Sequence, residues 1–209
     1  MEAKAIETHY NGYRFRSRLE ARWAVFFDAA DINYQYEPEG ISFHGEKYLP
    51  DFYLPSASNY GCYVEVKPNI RTRYPEIGKA ARVTCMGAGY PLVVLSEVPL
   101  IKDCGIWCFP MFGYDQIEGE ICVELVPMIT QGEQFFFHQG LALSRNTRTT
   151  LYAFLGGHWD YSLAGMSCKQ LEHNGHYCFW ETESADDLEL SKYIYNKARS
   201  ARFEFGENG

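Results

Sequence analysis

The 209-residue, 24.1 kDa chain is 46% hydrophobic, enough for a core of its own, which excludes a disordered or low-complexity polypeptide and suits one domain with room for an added lobe. A net charge of −8 argues against wholesale adsorption to nucleic acid, and no apolar run spans a bilayer, the longest (near Pro91 to Ile101) being broken by Ser96, Glu97 and Pro99. The first residues lack the basic start and apolar segment of a secretion signal, so the seven cysteines, an odd number, read as reduced thiols of a cytoplasmic protein.

Charge is unevenly placed: residues 1–100 carry a net −1 and residues 101–209 a net −7. In the first part, Ser17-Arg18-Leu19-Glu20 has the form of a capping box, and Leu19, Trp23, Phe26, Phe27 and Ala30 follow at helical spacing, which predicts an amphipathic helix ending before Asn33. Short strands are expected over Tyr34–Glu37, Ile41–His44, Lys47–Tyr53 and Tyr60–Lys67, with Pro38-Glu39-Gly40 and Pro55–Asn59 as turns. Pro75 suits a first helical residue, Ile77, Ala81, Cys85 and Ala88 give a second apolar stripe, Gly87 and Gly89 can stop that helix, and Pro91–Ser96 reads as a buried strand.

Beyond Lys102 the pattern weakens. Ile106–Phe109, Ile121–Val126 and Gln134–His138 suggest an antiparallel addition, extended by Thr150–Leu155 and His176–Glu181. Ser184 with Asp187 three residues on can cap a last helix that turns Leu190, Ile194, Ala198 and Ala201 inward. The expected organisation is a mixed α/β core over 1–100, a β-rich addition over 101–183 and a helix with a tail over 184–209.

The chemistry-bearing residues are Pro50-Asp51 and, fourteen positions after Asp51, Glu65-Val66-Lys67. Side chains alternate along a strand, so Glu65 and Lys67 share a face while Val64 and Val66 point into the core. Pairing of the preceding strand beside them brings in Asp51. Two carboxylates with the Val66 carbonyl between them form a hard-oxygen site of the kind Mg²⁺ takes, and Mn²⁺ in its place. A cation there polarises a phosphate, while Lys67 holds a water or neutralises charge on the reacting phosphoryl group. No glycine-rich phosphate loop or nucleophile elbow is present, which disfavours nucleotide-driven and serine-hydrolase chemistry.

Pro50-Asp51…Glu65-Val66-Lys67, set between a leading helix with an acid and a following helix and strand, resembles the PD-(D/E)xK nuclease superfamily and its restriction-endonuclease-like fold. Phe15-Arg16-Ser17-Arg18-Leu19-Glu20-Ala21-Arg22-Trp23-Ala24, Tyr36-Glu37-Pro38-Glu39-Gly40, Tyr48 to Pro55 and the tail Ala198 to Gly206 resemble small nucleases of phages and prophages. The resemblance covers residues 10–97 and the last twenty, and says little about residues 101–185. It implies a Mg²⁺-dependent deoxyribonuclease acting in the cytoplasm (the host's, if phage-encoded), with Asp51, Glu65 and the Val66 carbonyl on the metal and Lys67 assisting the nucleophile. It also implies Glu20 as an acid that contacts metal through water. A non-catalytic module binding nucleic acid or a protein, and an RNA-directed enzyme, are the rival readings.

Glu20 carries two expectations that exclude each other, because a carboxylate folded back onto its own helix cap does not reach a metal. Asp51 and Glu65 have the bland alternative of strand-edge charges, and Lys67 that of a plain ion-pair partner. Glu37 and Glu39 flank a proline turn and are read as structural or as supporting the site through another residue. Arg14, Arg16, Arg18 and Arg22, with Arg71 and Arg73 after the motif strand and Lys79 on the second helix, are either a phosphate-tracking flank or solvated charge. Cys104-x3-Cys108 and His173-x2-His176-x-Cys178 have ligand-like separations without a known zinc spacing. The acidic second half is expected to supply specificity, a lid or a homodimer contact, and no membrane association is expected.

Overall fold

Asn11 and Gly12 both adopt left-handed backbone (φ +46° and +80°), the geometry of a two-residue hairpin turn, and join β1 (Thr8–Tyr10) to β2 (Tyr13–Phe15). The structure, a computed structural model, describes residues 5–55, 61–68, 74–98, 106–117, 119–131, 134–137, 162–163, 166–171, 178–180 and 185–203. The hairpin hands the chain to α1 (Arg18–Ala29), whose first turn is fixed by Ser17: its hydroxyl accepts the Glu20 N–H at 3.2 Å and donates to Glu20 Oε1 at 2.8 Å. The helix runs to Ala29 with Ala30 as its C-cap, and its Trp23, Phe26 and Phe27 are fully buried.

Strands β3 (Gln35–Tyr36), β6 (Phe52–Leu54), β7 (Cys62–Val66) and β8 (Leu92–Leu95) form one end of a mixed sheet, with β3 at its edge. β3–β6 and β6–β7 are antiparallel, and β7–β8 is parallel. A parallel neighbour needs a crossover. It is made by α2 (Tyr74–Ala81), which widens into π-helix over Arg82–Ala88 and stops at Gly89, a left-handed cap with φ +75°. Alternation along β6, β7 and β8 puts Phe52, Leu54, Cys62, Val64, Val66, Val93 and Leu95 into one core with α1. Leu92 and Val94 alternate to the opposite face, where Ile77, Ala80, Ala81, Val83 and Cys85 of the crossover are buried.

The expected single strand over Lys47–Tyr53 is two: β5 (Glu46–Tyr48), which pairs with β4 (Ile41–Phe43), and β6. Pro50 has no N–H to give a ladder, so the chain leaves the small hairpin there and enters the main sheet at Asp51. The β4–β5 hairpin turns on His44 and Gly45 (φ +48° and +83°) and lies against the π-helical segment, where a Cβ on Gly87 would stand 2.8 Å from the Cβ of Phe43.

The sheet continues past β8. β9 (Ile106–Asp115) meets β8 at Met111–Phe112, β14 (Cys178–Trp180) at Ile106–Trp107 and β10 (Glu120–Gln131) along Cys108–Asp115. With β11 (Gln134–Phe137), β12 (Ser162–Leu163) and β13 (Met166–Leu171) it counts ten strands among the described residues. The last helix, α3 (Ala185–Ser200), packs on α1 with Ile194, Tyr195 and Ala198 buried. Leu190, expected inward, is 38% exposed, and Tyr195 takes the interior instead, its ring 4.6 Å from Phe26. The chain is therefore mixed α/β, with a mixed sheet and three helices among the described residues. The strand expected over Thr150–Leu155, the Ser184 cap, and Cys104, His173 and His176 lie outside the described residues, as do the side chains of Cys108 and Cys178. No helix among the described residues is long and apolar enough to cross a membrane.

Candidate functional site

Among the described residues six polar or charged side chains are buried, and the three that are acidic are Glu20 (7% exposed), Asp51 (3%) and Glu65 (6%). Burying a carboxylate is costly unless charge and hydrogen bonds compensate it, so three acids from three elements point to one built environment. Asp51 sits where the β6–β7 ladder loses its regularity. Its N–H donates to the Val64 carbonyl at 3.1 Å, its own carbonyl accepts the Glu37 N–H at 2.9 Å, and its Oδ2 accepts the Val66 N–H at 2.7 Å. The carboxylate thus takes the part of a ladder carbonyl, which ties Asp51 to the strand that carries Glu65 and Lys67.

Glu65 is enclosed by two donors. The Lys67 ammonium, two residues on along the strand, pairs with Oε1, and the Tyr48 hydroxyl, delivered by the β4–β5 hairpin, donates to Oε2. Burial would lower the Lys67 pKa, but the charges of Glu65 and Asp51 and the hydrogen bond to Glu65 outweigh it and push it up. Lys67 is therefore a cation and a donor here, not a base. Burial and the Glu65 charge push the Tyr48 phenol far above its usual range, so Tyr48 also keeps its proton.

Glu20 does what a capping residue does. Its Oε1 accepts from Ser17, and its Oε2 accepts the Tyr36 hydroxyl at 2.8 Å and the Arg16 N–H at 3.1 Å. Its charge is nonetheless among the causes that raise the Asp51 pKa. The Asp51 carboxyl is pushed up from 3.8 to about 8, first by burial, then by the charges of Glu65 and Glu20, with the Val66 N–H and Lys67 opposing. Glu20, Asp51, Glu65 and Lys67 are therefore coupled electrostatically; of the two expectations for Glu20, the structure shows the cap, with both carboxylate oxygens engaged there, and Glu20 acts on Asp51 through its charge.

Arg16 completes the cluster. Its guanidinium pairs with Asp51 Oδ1, and its Nε stands 2.8 Å from Glu37 Oε1. Burial would lower its pKa, yet Asp51, Tyr36, Glu20 and Glu37 hold it above the ordinary value, so it is a permanent cation. Glu37 reaches this position with left-handed backbone (φ +45°), a strained conformation for a residue with a Cβ. Sequence reading placed Glu37 as structural or as supporting the site through another residue, and it meets the acids through Arg16; Tyr48 stood only inside a motif, its hydroxyl with no sequence signal beyond its place two residues before Pro50.

The remaining cations are dispersed. Arg14 pairs with Glu7 at 2.6 Å on the surface, Arg18 is exposed on α1, Arg22 is half-buried, and Lys79 sits half-buried on α2. Arg71 and Arg73 lie outside the described residues. The structure thus turns Arg16 toward the acids and leaves Arg14 engaged with Glu7.

Among the described residues no three His, Cys, Asp or Glu side chains converge as a metal-binding group. Mg²⁺ asks for less: one or two carboxylates, with water and substrate oxygens for the rest. Asp51 and Glu65 fit that demand in donor type and in charge. With all groups ionised, the acids Glu20, Glu37, Asp51 and Glu65 against the cations Arg16 and Lys67 leave a formal surplus of two negative charges, and the charges of Glu65 and Glu20 add to burial in raising the Asp51 pKa. Comparison of the chain with family models, with curated proteins and with solved structures gave no match.

Proposed function

We propose that this chain is a metal-dependent nuclease that hydrolyses DNA phosphodiester bonds on a restriction-endonuclease-like core, of the kind found in small phage and prophage enzymes. The observation that carries the reading is the buried acid pair Asp51 and Glu65 beside the Lys67 ammonium, with the surplus negative charge described above. Asp51, Glu65 and the Val66 carbonyl would hold Mg²⁺ or Mn²⁺, with Glu20 supporting from α1. A divalent cation so placed supplies Lewis acidity and charge neutralisation at a phosphate oxygen. Lys67, kept protonated by its neighbours, donates a hydrogen bond to the attacking water or to a phosphate oxygen on which charge builds. Tyr48 keeps its proton and restrains Glu65.

One observation favours a second reading, a non-catalytic module binding nucleic acid or a protein: Arg16 and the Val66 N–H engage both Asp51 oxygens, and Lys67 and Tyr48 both Glu65 oxygens. Fluorescent single-stranded DNA, duplex DNA and RNA, incubated with Mg²⁺, Mn²⁺ or EDTA, separate the two. The nuclease reading expects divalent-dependent product that falls at least about a hundredfold in Asp51→Ala and in Glu65→Ala. Equal cleavage by Asp51→Ala and the wild type would overturn it, and tight DNA binding without product would favour the binding module.

A further inference from the structure

We propose that Arg16 is an exchangeable counter-ion of the acid pair, holding the place on Asp51 that a divalent cation takes over. The inference rests on the metal-site reading above and concerns how that site is filled. Three observations carry it. First, Asp51 Oδ2 is committed to the Val66 N–H, so Oδ1, where Arg16 sits, is the oxygen the carboxylate has left to offer. Second, the two partners differ in freedom: the Arg16 side chain is 51% exposed and the Asp51 side chain 4%, so the guanidinium is the member that can leave for water. Third, the stem of Arg16 is held separately. Its backbone N–H donates to Glu20 Oε2 and to the Tyr36 hydroxyl at 2.9 Å, and its Nε keeps Glu37, so release from Asp51 displaces only the tip of the side chain.

Lys67 does not fit the same role. Its side chain is 22% exposed, it springs from the strand that carries Glu65, and Glu65 has Tyr48 as a further donor. Charge balance sets the direction of the exchange. A divalent cation cancels the surplus of two on the cluster, and with it in place the Arg16 guanidinium would face like charge at short range. Held on Glu37 at the rim, the freed guanidinium has the planar fork that suits a phosphate oxygen pair.

Mn²⁺ binding, read by isothermal titration and by the paramagnetic resonance signal of free Mn²⁺, tests this without any substrate. Wild type, Arg16→Gln, Arg16→Lys and the double variant Asp51→Asn/Glu65→Gln are compared at fixed ionic strength, with circular dichroism to certify folding. Arg16→Gln is expected to bind Mn²⁺ about fivefold more tightly than wild type, the upper scale of one lost competing ion pair with an exposed partner. Arg16→Lys, which keeps the charge but cannot fork between Asp51 and Glu37, is expected to fall between them and serves if Arg16→Gln does not fold. Equal or weaker binding in both Arg16 variants, with wild type binding and the double variant not, overturns the counter-ion role and leaves the metal site standing. Failure of every folded protein to bind Mn²⁺, or unchanged binding in the double variant, overturns the metal-site reading and this inference with it.

Discussion

At the scale of single residues the site's chemistry is a contest between burial and charge. Asp51 has its carboxyl raised from 3.8 to about 8 by burial and by the charges of Glu65 and Glu20. A raised folded pKa means that the folded state binds the proton more tightly than the unfolded chain does. That stabilisation is complete below the ordinary aspartate pKa and is lost as pH rises toward about 8. The metal-free protein, in EDTA, should therefore lose thermal stability between about pH 4 and pH 8, on the order of a few kcal/mol. Asp51→Asn should flatten that slope; an equal slope in both proteins, measured by thermal unfolding across that range, would remove Asp51 as its source. The thiols make a second contrast. Cys62 is fully buried, and burial pushes Cys85 up to about 11, so neither offers a thiolate near neutral pH. Iodoacetamide at pH 8 should leave both unlabelled in the folded protein and modify both in denaturant, as peptide mass mapping would show.

At the scale of elements, the site depends on how the chain is punctuated. The sequence motif made Asp51, Glu65 and Lys67 legible because strand alternation is a local rule, and Ser17 with Glu20 was legible because a capping box is local too. What could not be read was the set of partners that close the site. Tyr48 reaches Glu65 only because Pro50 ends β5 and the β4–β5 hairpin then docks on the π-helical segment, a contact between residues about forty positions apart. The β1–β2 hairpin was the reverse case, since Asn11-Gly12 is a strong local turn signal that went unread beside the helix following it. The docking of β4–β5 rests on Gly87 against Phe43, with Arg82 bridging to Glu46 at 3.0 Å. A methyl at Gly87 would stand 2.8 Å from the Phe43 Cβ, which cannot swing away as a side-chain tip could. Gly87→Ala should therefore destabilise by about 1–3 kcal/mol, read as a lower urea midpoint with an unchanged denaturant slope. An Arg82→Gln change at the exposed pair beside it should cost far less. Equal effects would mean that the hairpin is not held by that contact.

At the scale of the whole molecule, α3 joins two ends of the chain in one core. Tyr195 lies against Phe26 and 6.4 Å from Trp23, and Arg199 Nη1 donates to the Val98 carbonyl at 2.9 Å. Trp23 in turn donates its indole N–H to the Ser96 carbonyl at 2.7 Å and packs edge-on to Phe109. One aromatic cluster thus connects the helix that carries Glu20, the end of β8, the strand β9 and the last helix. Sequence periodicity placed Ile194 and Ala198 inward but missed Tyr195, because a tyrosine on a charged helix reads as surface until its partner Phe26, 169 positions earlier in the sequence, is known. The consequence is that residues 185–203 are not a dispensable tail. Ending the chain after residue 184 would expose Trp23 and Phe26 on α1 and should give an insoluble protein or one without a cooperative thermal transition. Tyr195→Ala, which keeps the helix and removes only the ring, should cost about 3–5 kcal/mol in denaturant titration, while Tyr193→Ala, at a position 62% exposed two residues earlier, should cost little. A truncated chain that unfolds at the full-length temperature would show that the core closes without α3, and the link from the last helix through Trp23 to the first turn bearing Glu20 would then have no energetic content.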